Sequence, residues 1–270
     1  MSNQLKIAAR RAFVRAPGVI AHYPCFQGSP DVALIDRSGA GNNAVFGAGL
    51  LATPAWATAN RLAVADSASG TVAGAPYLTG AQLGWDLTTQ SLIVSGIVNV
   101  AATPAATRHI TGNGSSASVR GFALRISATT GASMAVAHGA ASVFGNAGAT
   151  IATGADIHVG LAIDGPRSRM YVYVAGAYDA TANNGTDYTP GVNGLDFSAQ
   201  AAALAAACVT QPWMFAAQPH TGTFALSPAS TSYGWQIAKR TGNLPDNLST
   251  IMRRLARHPL QVLSSTEWPA

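Results

Sequence analysis

Residues 158–174 read HVGLAIDGPRSRMYVYV, and this stretch decides the fold class. Two apolar-rich runs, His158–Ile163 and Met170–Val174, flank the short link Asp164–Ser168, which contains glycine and proline. Two strand-like runs joined by a loop of this kind predict a β-hairpin. The two tyrosines of the second run share one face of the strand and the aliphatic residues share the other, so we expect the aliphatic face to be buried.

Further short runs with strand character lie on both sides of the hairpin. Ser91–Val100 is rich in β-branched residues, and Arg120–Ile126 alternates apolar side chains on one face. Short strands at this spacing, joined by turn residues, predict a sandwich of β-sheets. The same patterns predict strands at Ser133–Val143, Pro212–Ala216 and Ser232–Ala238.

Helical periodicity is confined to two segments, Gln4–Val14 and Asn247–Arg257. The second has apolar residues on one face, arginines on the other and a proline beyond each end. This pattern predicts a short helix at about residues 246–257 that closes one end of the sandwich. We expect residues 180–200 to form a surface loop, and residues 201–207 to form a helical turn or the lead-in to a strand.

The composition is low in charge, with 10% of the 270 residues charged, whereas soluble proteins average about 25%. A chain of this length buries a sizeable core without disulfides or metals, and it is long but normal for one large sandwich. Cys25 and Cys208 are therefore expected to be reduced packing residues. A surface of small polar residues suits packing into an assembly, although a bias toward alanine in the coding sequence explains it equally well.

The net charge of +5 is concentrated at the chain ends. A basic arm over residues 1–18 could dock on an acidic partner surface, or it could form an ordered helical turn with a solvated basic face. Nucleic-acid binding is not expected, because no stripe of aromatic and basic residues follows the strands. No secretory signal or apolar membrane span is present, so we expect synthesis in the host cytoplasm and no membrane partner. The proposed docking residues are Lys6, Arg10, Arg11 and Arg15.

Four segments, taken in order, resemble the concanavalin A-like, laminin-G-like jelly rolls found in bacteriophage structural proteins. One departure concerns the turn after Val174, where this chain has Ala175-Gly176 and the family commonly has an Asp-Gly or Asn-Gly pair. The order and spacing of the segments carry the resemblance, since each motif alone has little specificity. The four are Ala33–Phe46 (ALIDRSGAGNNAVF), Ser91–Ile126, His158–Ala177 and Tyr233–Pro259.

The resemblance implies an all-β, concanavalin A-like jelly-roll sandwich of two antiparallel sheets over residues 19–263, with a C-terminal tail at 264–270. It also implies a non-enzymatic virion protein, exposed on a capsid or tail as a decoration or attachment module that contributes to assembly or particle stability. The partners would be other virion proteins and further copies of this chain. The alternative is a lectin-like module that recognises host surface glycans.

A glycan-degrading enzyme is a third and less favoured interpretation. Glycoside hydrolysis usually needs two carboxylates, and glucanases that resemble this fold place an acidic triplet on one strand. The chain has a single glutamate, Glu267, and its aspartates lie singly. No nucleophile elbow or zinc-ligand spacing is present. We interpret His109, His138 and His158 as structural residues, so no catalytic residue is assigned.

Calcium is the cofactor that the resemblance leaves open, because many laminin-G-like domains hold it at a sandwich rim through hard oxygen ligands. Asp36 with Asn42, and Asp187 with Asn193, are the candidate loops. Ordinary turn chemistry is the preferred interpretation of both pairs, since these side chains hydrogen-bond their own backbone. No other cofactor is expected.

Exposed aromatic residues distinguish glycan binding from assembly. A concave face with Trp or Tyr beside Asn and Asp favours sugar, whereas a flat face rich in Ala, Ser and Thr favours assembly. The tryptophans at 56, 85, 213 and 235 need no ligand to explain them, because a core of this size accommodates them.

Overall fold

The computed structural model describes residues 16–24, 33–46, 55–58, 61–64, 76–114, 119–208, 210–215 and 229–268. In these residues the chain folds mainly as two antiparallel sheets with a short C-terminal helix, which confirms the predicted jelly-roll-type sandwich. The basic arm and the helix expected near the N-terminus lie outside the described residues. None of the described helices is long and apolar enough to cross a bilayer.

The first sheet is centred on strands that the sequence predicts. Strand β7 (Gln90–Val100) lies between β12 (Ile157–Asp164) and β17 (Ser230–Thr241), and β13 (Arg169–Val174) pairs with β12 to complete the predicted hairpin. β-Branched residues fill β7 because they pack well on a pleated surface. The sheet is completed by β1 (Val19–Tyr23), β4 (Ala55–Thr58), β5 (Arg61–Val64), β14 (Ala177–Tyr178) and β15 (Leu195–Asp196).

The second sheet has a predicted strand, β9 (Gly121–Ile126), paired with β8 (Arg108–Gly112) and β10 (Ser133–His138). The single strand expected at Ser133–Val143 is instead a hairpin of β10 and β11 (Ser142–Phe144). The chain turns there because the Gly139 N–H donates to the Ala141 carbonyl at 3.0 Å. The remaining strands of this sheet are β2 (Ala33–Leu34), β3 (Ala44–Phe46), β6 (Pro76–Leu78) and β16 (Trp213–Phe215).

The main core lies between the two sheets and follows the alternation of each strand. The aliphatic face of β13 points into it, as the sequence predicted. The apolar face of β9 meets it from the second sheet. The inward residues of these strands and of β7 are Leu92, Val94, Val98, Val100, Phe122, Leu124, Ile126, Met170, Val172 and Val174.

A second apolar layer covers much of the outer face of the first sheet. Helix α3 (Leu248–Arg257) packs there through the face that the sequence predicted to be apolar, so it covers the outer face of the sheet instead of closing one end of the sandwich as expected. Tyr171 and Tyr173, on the opposite face of β13 from the core, are buried beneath this layer. Both faces of β13 are therefore buried. The aliphatic face packs in the core between the sheets, and the tyrosine face packs in the second apolar layer.

Residues 264–268, expected as part of a C-terminal tail, pack against this layer. The Trp268 side chain is fully buried, and its indole N–H donates to the Lys239 carbonyl at 3.0 Å. The segment predicted as a surface loop also has a buried anchor, because the Asn183 amide pairs with the backbone N–H and carbonyl of Val172 at 2.7 and 2.9 Å. Helix α2 (Ala201–Cys208) follows, after a short helix α1 (Gly80–Leu83) earlier in the chain.

A β-bulge divides β17 between two neighbours. Residues before the bulge pair with β5, and residues after it pair with β1. The extra residue lies between Tyr233 and Gln236, where Gly234 has φ +64°, in the left-handed region that favours glycine. Bulges redirect the side chains beside them, and Tyr233 precedes this one.

Candidate functional site

The large aromatic residues are mostly part of the core. The tryptophans whose side chains the structure describes, at positions 85, 213, 235 and 268, are each at most 1% exposed. The side chain of Trp56 lies outside the described residues. Tyr233, in contrast, is only partly buried and lies on the outer surface of the first sheet. It is therefore a better candidate for a ligand platform than any tryptophan described.

The phenol of Tyr233 belongs to a group of four side chains, which we call the Tyr233 patch: Arg61, Asn99, Asp156 and Tyr233. The Arg61 guanidinium lies 5.1 Å from the centroid of the Tyr233 ring. Its two terminal nitrogens donate to the two oxygens of Asp156 at 2.5 and 2.6 Å. The Asn99 amide and the Tyr233 hydroxyl donate to the same carboxylate at 3.2 and 3.3 Å.

Strand pairing brings these four residues together from distant parts of the chain. Asn99 lies opposite Thr231 across β7 and β17, and Thr231 lies opposite Ala63 of β5. Arg61 begins β5, and Asp156 immediately precedes β12. The sequence analysis did not find this patch, because no local motif joins its members. The Tyr-Gly pair inside an otherwise regular strand pattern was the available signal, since such a glycine often marks a bulge.

The charges of the patch balance. Hydrogen bonds from Arg61 hold the pKa of Asp156 below its ordinary value, and the same bonds raise the pKa of Arg61. Burial raises the pKa of Tyr233, and the nearby Asp156 charge adds to this effect. At neutral pH the patch therefore carries one cation, one anion and a neutral phenol. About a third of the Arg61 and Asp156 side chains stays exposed, at 33% and 31%.

In the first candidate calcium loop, Asp36 with Asn42, the side chains are engaged in hydrogen bonds within the protein. The Asp36 carboxylate accepts from the backbone N–H groups of His22, Ser38 and Asn42 at 2.9, 2.7 and 3.1 Å, and from the Ser38 hydroxyl at 2.8 Å. The Asn42 amide donates to the Ile20 carbonyl at 2.8 Å. The structure thus brings Asp36 and Asn42 together as the sequence suggested, in the arrangement of a hydrogen-bonded turn.

The second candidate loop has the same character. The Asn193 amide donates to the Asp187 carbonyl and accepts from the Thr189 N–H at 2.8 Å. The Asp187 carboxylate accepts from the neighbouring Tyr188 N–H at 2.7 Å. Within the described ranges no group of three or more His, Cys, Asp or Glu side chains lies close enough together to hold a metal ion.

A second polar cluster lies on the outer face of the second sheet. Arg125 donates to the Nε2 atoms of His109 and His138, each at 2.7 Å. Because a guanidinium only donates, the proton of His138 is on Nδ1, which therefore donates to the Ser142 hydroxyl at 2.7 Å. Ser142 accepts this bond, so His138 does not act on it as a base. Burial lowers the pKa of His138 to about 3, and the exposed ring of Phe144 lies at the edge of the cluster.

Asp164 and Glu267 are the carboxyl groups best suited to act as acids, but both are held in structural contacts. Asp164 is buried, which raises its pKa. It accepts from the Leu244 and Arg167 N–H groups, each at 3.2 Å, and so fixes the hairpin turn. Glu267 lies 2.5 Å from Arg254 Nε and accepts from the Ser264 hydroxyl at 2.6 Å. The four docking residues of the basic arm lie outside the described residues.

The fold of the chain is similar to part of the sialidase of Trypanosoma rangeli. A structure of that enzyme with 2,3-difluorosialic acid as a covalent intermediate is 13% identical, has a TM-score of 0.58 and is matched by 91% of this chain. A structure with the inhibitor DANA is 15% identical, has a TM-score of 0.55 and is matched by 93%. The chain spans about a third of the length of these sialidases, 33% and 34%. At this identity the likeness shows the fold alone.

A further similar structure is domain 4 of AbnA, an extracellular arabinanase from Geobacillus stearothermophilus, in complex with arabinotriose. It is 13% identical with a TM-score of 0.49, and the match covers 88% of this chain and 98% of that domain. No protein-family model matches the sequence, and no curated protein matches it. The two-sheet sandwich is thus shared with one third of a sialidase, at a sequence identity that assigns no family.

Proposed function

We propose that this chain is a non-enzymatic carbohydrate-binding module and that its ligand lies on the Tyr233 patch. The observation that carries the proposal is the partly exposed Tyr233 ring beside the Asn99 amide and the Asp156 carboxylate. Binding sites of this kind combine an aromatic surface with a few polar groups that fix orientation. A Tyr beside Asn and Asp is also part of the pattern that favours sugar binding, the other part being a concave face.

The polar groups of the patch are held in place before a ligand arrives. Asp156 accepts from three different side chains, and Arg61 is fixed by a bidentate contact with it. A bidentate guanidinium and carboxylate pair adds geometric specificity. Pre-organised groups lose little conformational entropy on binding, which favours the weak contacts that a sugar offers.

The fold adds support of a general kind. The similar sialidase structures contain 2,3-difluorosialic acid or the inhibitor DANA. The sialidase match covers about a third of those chains, so their activity and ligand are not carried over to this chain. What supports a module without catalysis is the engagement of Asp164 and Glu267 in structural contacts.

The proposal is tested by replacing Tyr233 with Ala and measuring binding to an array of immobilised glycans. We expect the variant to lose at least about tenfold in affinity, since removing a central aromatic anchor commonly costs more than about 1.4 kcal/mol. Phe144→Ala is the matched control, because it removes an exposed aromatic ring from the other sheet. Thermal unfolding of each variant checks that the sandwich remains folded.

Three outcomes separate the alternatives. Loss of binding in Tyr233→Ala alone supports the proposed site. Loss in Phe144→Ala alone moves the ligand to the cluster of Arg125, His138 and Ser142 on the second sheet. Failure of the folded wild-type chain to bind any glycan overturns the function.

Assembly into a virion is the second candidate function, and the surface next to the Tyr233 patch favours it. Three adjoining loops, residues 101–106, 127–131 and 147–155, form what we call the uncharged end of the sandwich. They contact each other through backbone bonds, including Ile151 N–H to the Gly131 carbonyl at 2.9 Å. Most of their residues are exposed Ala or Thr, and none is charged. Such a surface fits copies of this chain or other virion proteins.

Particles from the source of this chain distinguish this function from glycan binding alone. We expect cryo-electron microscopy to show the sandwich on a capsid or tail lattice, with the uncharged end covered and more than about 1,000 Å² buried against neighbours. Light scattering of the purified chain would then report an oligomer. A monomer in solution that is also absent from every particle would leave only the glycan-binding proposal.

A further inference from the structure

The charge and the hydrogen bonds of the Tyr233 patch restrict the ligands that it accepts. Asp156 carries the negative charge and Arg61 carries the positive charge, and the two are joined by short bidentate contacts of 2.5 and 2.6 Å. Asn99 and Tyr233 are uncharged and donate to the same carboxylate. The four side chains therefore sum to a formal charge of zero.

We propose that the Tyr233 patch recognises neutral glycans, and that it does so without calcium. This inference rests on the proposed carbohydrate-binding function and specifies its ligand class. The ligand class is a sugar that presents hydroxyl groups and C–H faces and carries no carboxylate.

Calcium does not suit the patch because the carboxylate is already fully engaged. Calcium takes six to eight oxygen ligands, with carboxylates prominent among them. Each Asp156 oxygen accepts from one Arg61 nitrogen and from one further donor, Asn99 or Tyr233. A cation would have to displace these donors and would then lie beside the Arg61 guanidinium. No second acidic or histidine ligand joins Asp156 in a metal-holding group in the described part of the chain.

An acidic sugar gains no net attraction from the patch. A carboxylate ligand would be attracted by Arg61 but repelled by Asp156, which is within contact distance of the same guanidinium. A guanidinium can bind a carboxylate through two parallel hydrogen bonds, but the two terminal nitrogens of Arg61 already donate to Asp156. A neutral sugar avoids this repulsion, and its hydroxyl groups both donate and accept hydrogen bonds.

The surface that remains suits such a sugar. The Arg61 guanidinium lies over the Tyr233 ring at 5.1 Å from its centroid, and the part of the ring that stays exposed can pack against the C–H face of a pyranose. The amide of Asn99, which shares the Asp156 carboxylate with Tyr233, has both a donor group and an acceptor oxygen. Apolar contact supplies affinity, and the polar edge orients the hydroxyl groups.

The test compares neutral and acidic oligosaccharides immobilised on the same array and applied to the full chain. The neutral probes are hexose and pentose oligomers, and the acidic probes end in a uronic acid or a sialic acid. We expect the neutral probes to bind best, with the same affinity in calcium and in EDTA. Raising the salt from low to high concentration should change this affinity by less than about twofold, because no net charge is involved.

A matched pair of variants tests whether the ion pair sets the specificity. Asp156→Asn leaves the Arg61 charge unbalanced, so we expect the ratio of acidic to neutral binding to rise about fivefold, as for one partly exposed charge pair. Asp187→Asn makes the same change in net charge in a distant exposed loop, and it should leave the ratio unchanged. An equal rise in both variants would show that net charge, and not the patch, controls the preference.

The outcomes separate this inference from the function on which it rests. Binding that requires calcium, or that prefers acidic probes in the wild-type chain, overturns the inference and leaves a glycan-binding function in place. Binding to no probe of either class overturns both. Neutral binding that resists EDTA, with the specificity shift confined to Asp156→Asn, supports both.

Discussion

Gly96 and Gly160 lie on neighbouring central strands, β7 and β12, but a side chain added at each position would meet very different atoms. A Cβ at Gly96 would lie 2.5 Å from Cδ2 of Trp235, a fully buried ring of the core. A Cβ at Gly160 would meet the sulfur of Met252 at 3.1 Å and the His158 ring at 3.3 Å. A rigid ring in a packed core cannot move aside, whereas the end of a methionine can.

We therefore predict that Gly96→Ala lowers the free energy of unfolding by about 3 kcal/mol, near the upper end of overpacking costs, and that Gly160→Ala lowers it by less than about 1 kcal/mol. Gly160 is the matched control, because it lies in the same sheet and receives the same methyl group. Urea denaturation, followed by tryptophan fluorescence, measures both values. Equal losses would show that Trp235 has room to shift.

At the scale of elements, the local patterns were sufficient for the central strands of the first sheet and for β9, but not for the short strands at the sheet edges. The Ser91–Val100 run and the hairpin around Asp164 were predicted because β-branched composition, alternation and turn residues all act within about ten residues. The C-terminal helix was predicted for the same reason, since its apolar spacing and flanking prolines are local. Residues that come together only through tertiary contacts leave no local pattern in the sequence.

The less predictable features all depend on contacts between distant elements. Both faces of β13 are apolar, so its sequence could not show that the loop at Tyr188 and Gly191 covers Tyr171, or that helix α3 contacts Tyr173 through Ser249. The Tyr233 patch depends on the register of β5, β7 and β17 and on a bulge at Gly234. Its members are separated by tens of residues, and a one-residue change of register would move them to the other face.

At the scale of the whole molecule, the notable feature is the number of buried histidines among the described residues. Desolvation lowers the pKa of all four members of this group: to about 3 for His138 and His158, well below the ordinary value for His109, and to a smaller degree for His22. These side chains lie in both sheets, so their protonation acts on the entire fold. They are neutral in the folded chain, and unfolding returns them to water.

The sign of the effect follows from proton binding. Since the folded pKa values are lowered, the unfolded chain binds more protons below about pH 6.5. The stabilising contribution is therefore fully present above pH 6.5 and is lost as the pH falls toward the folded values. His138 and His158, whose folded pKa values are about 3, each lose about 1.4 kcal/mol per pH unit in this window, or about 2 kcal/mol by pH 5. The raised pKa of Asp164 has the opposite effect, because this group stabilises the folded chain as the pH falls. It is a single group, whereas four histidines act the other way.

We predict that the chain unfolds cooperatively near pH 4, because the losses at His138 and His158 together reach roughly 7 kcal/mol there and His109 adds to them, which is comparable to the stability of a typical domain. Fluorescence of the buried tryptophans against pH, combined with urea titrations at each pH, measures the slope. His158→Gln should lower that slope by about 1.4 kcal/mol per pH unit between pH 6.5 and 5. His258→Gln, at an exposed position, is the control for the substitution itself. A wild-type stability that stays constant from pH 6.5 to 5 would mean that the buried histidines take up protons without unfolding, and the neutral interior would then have to be abandoned.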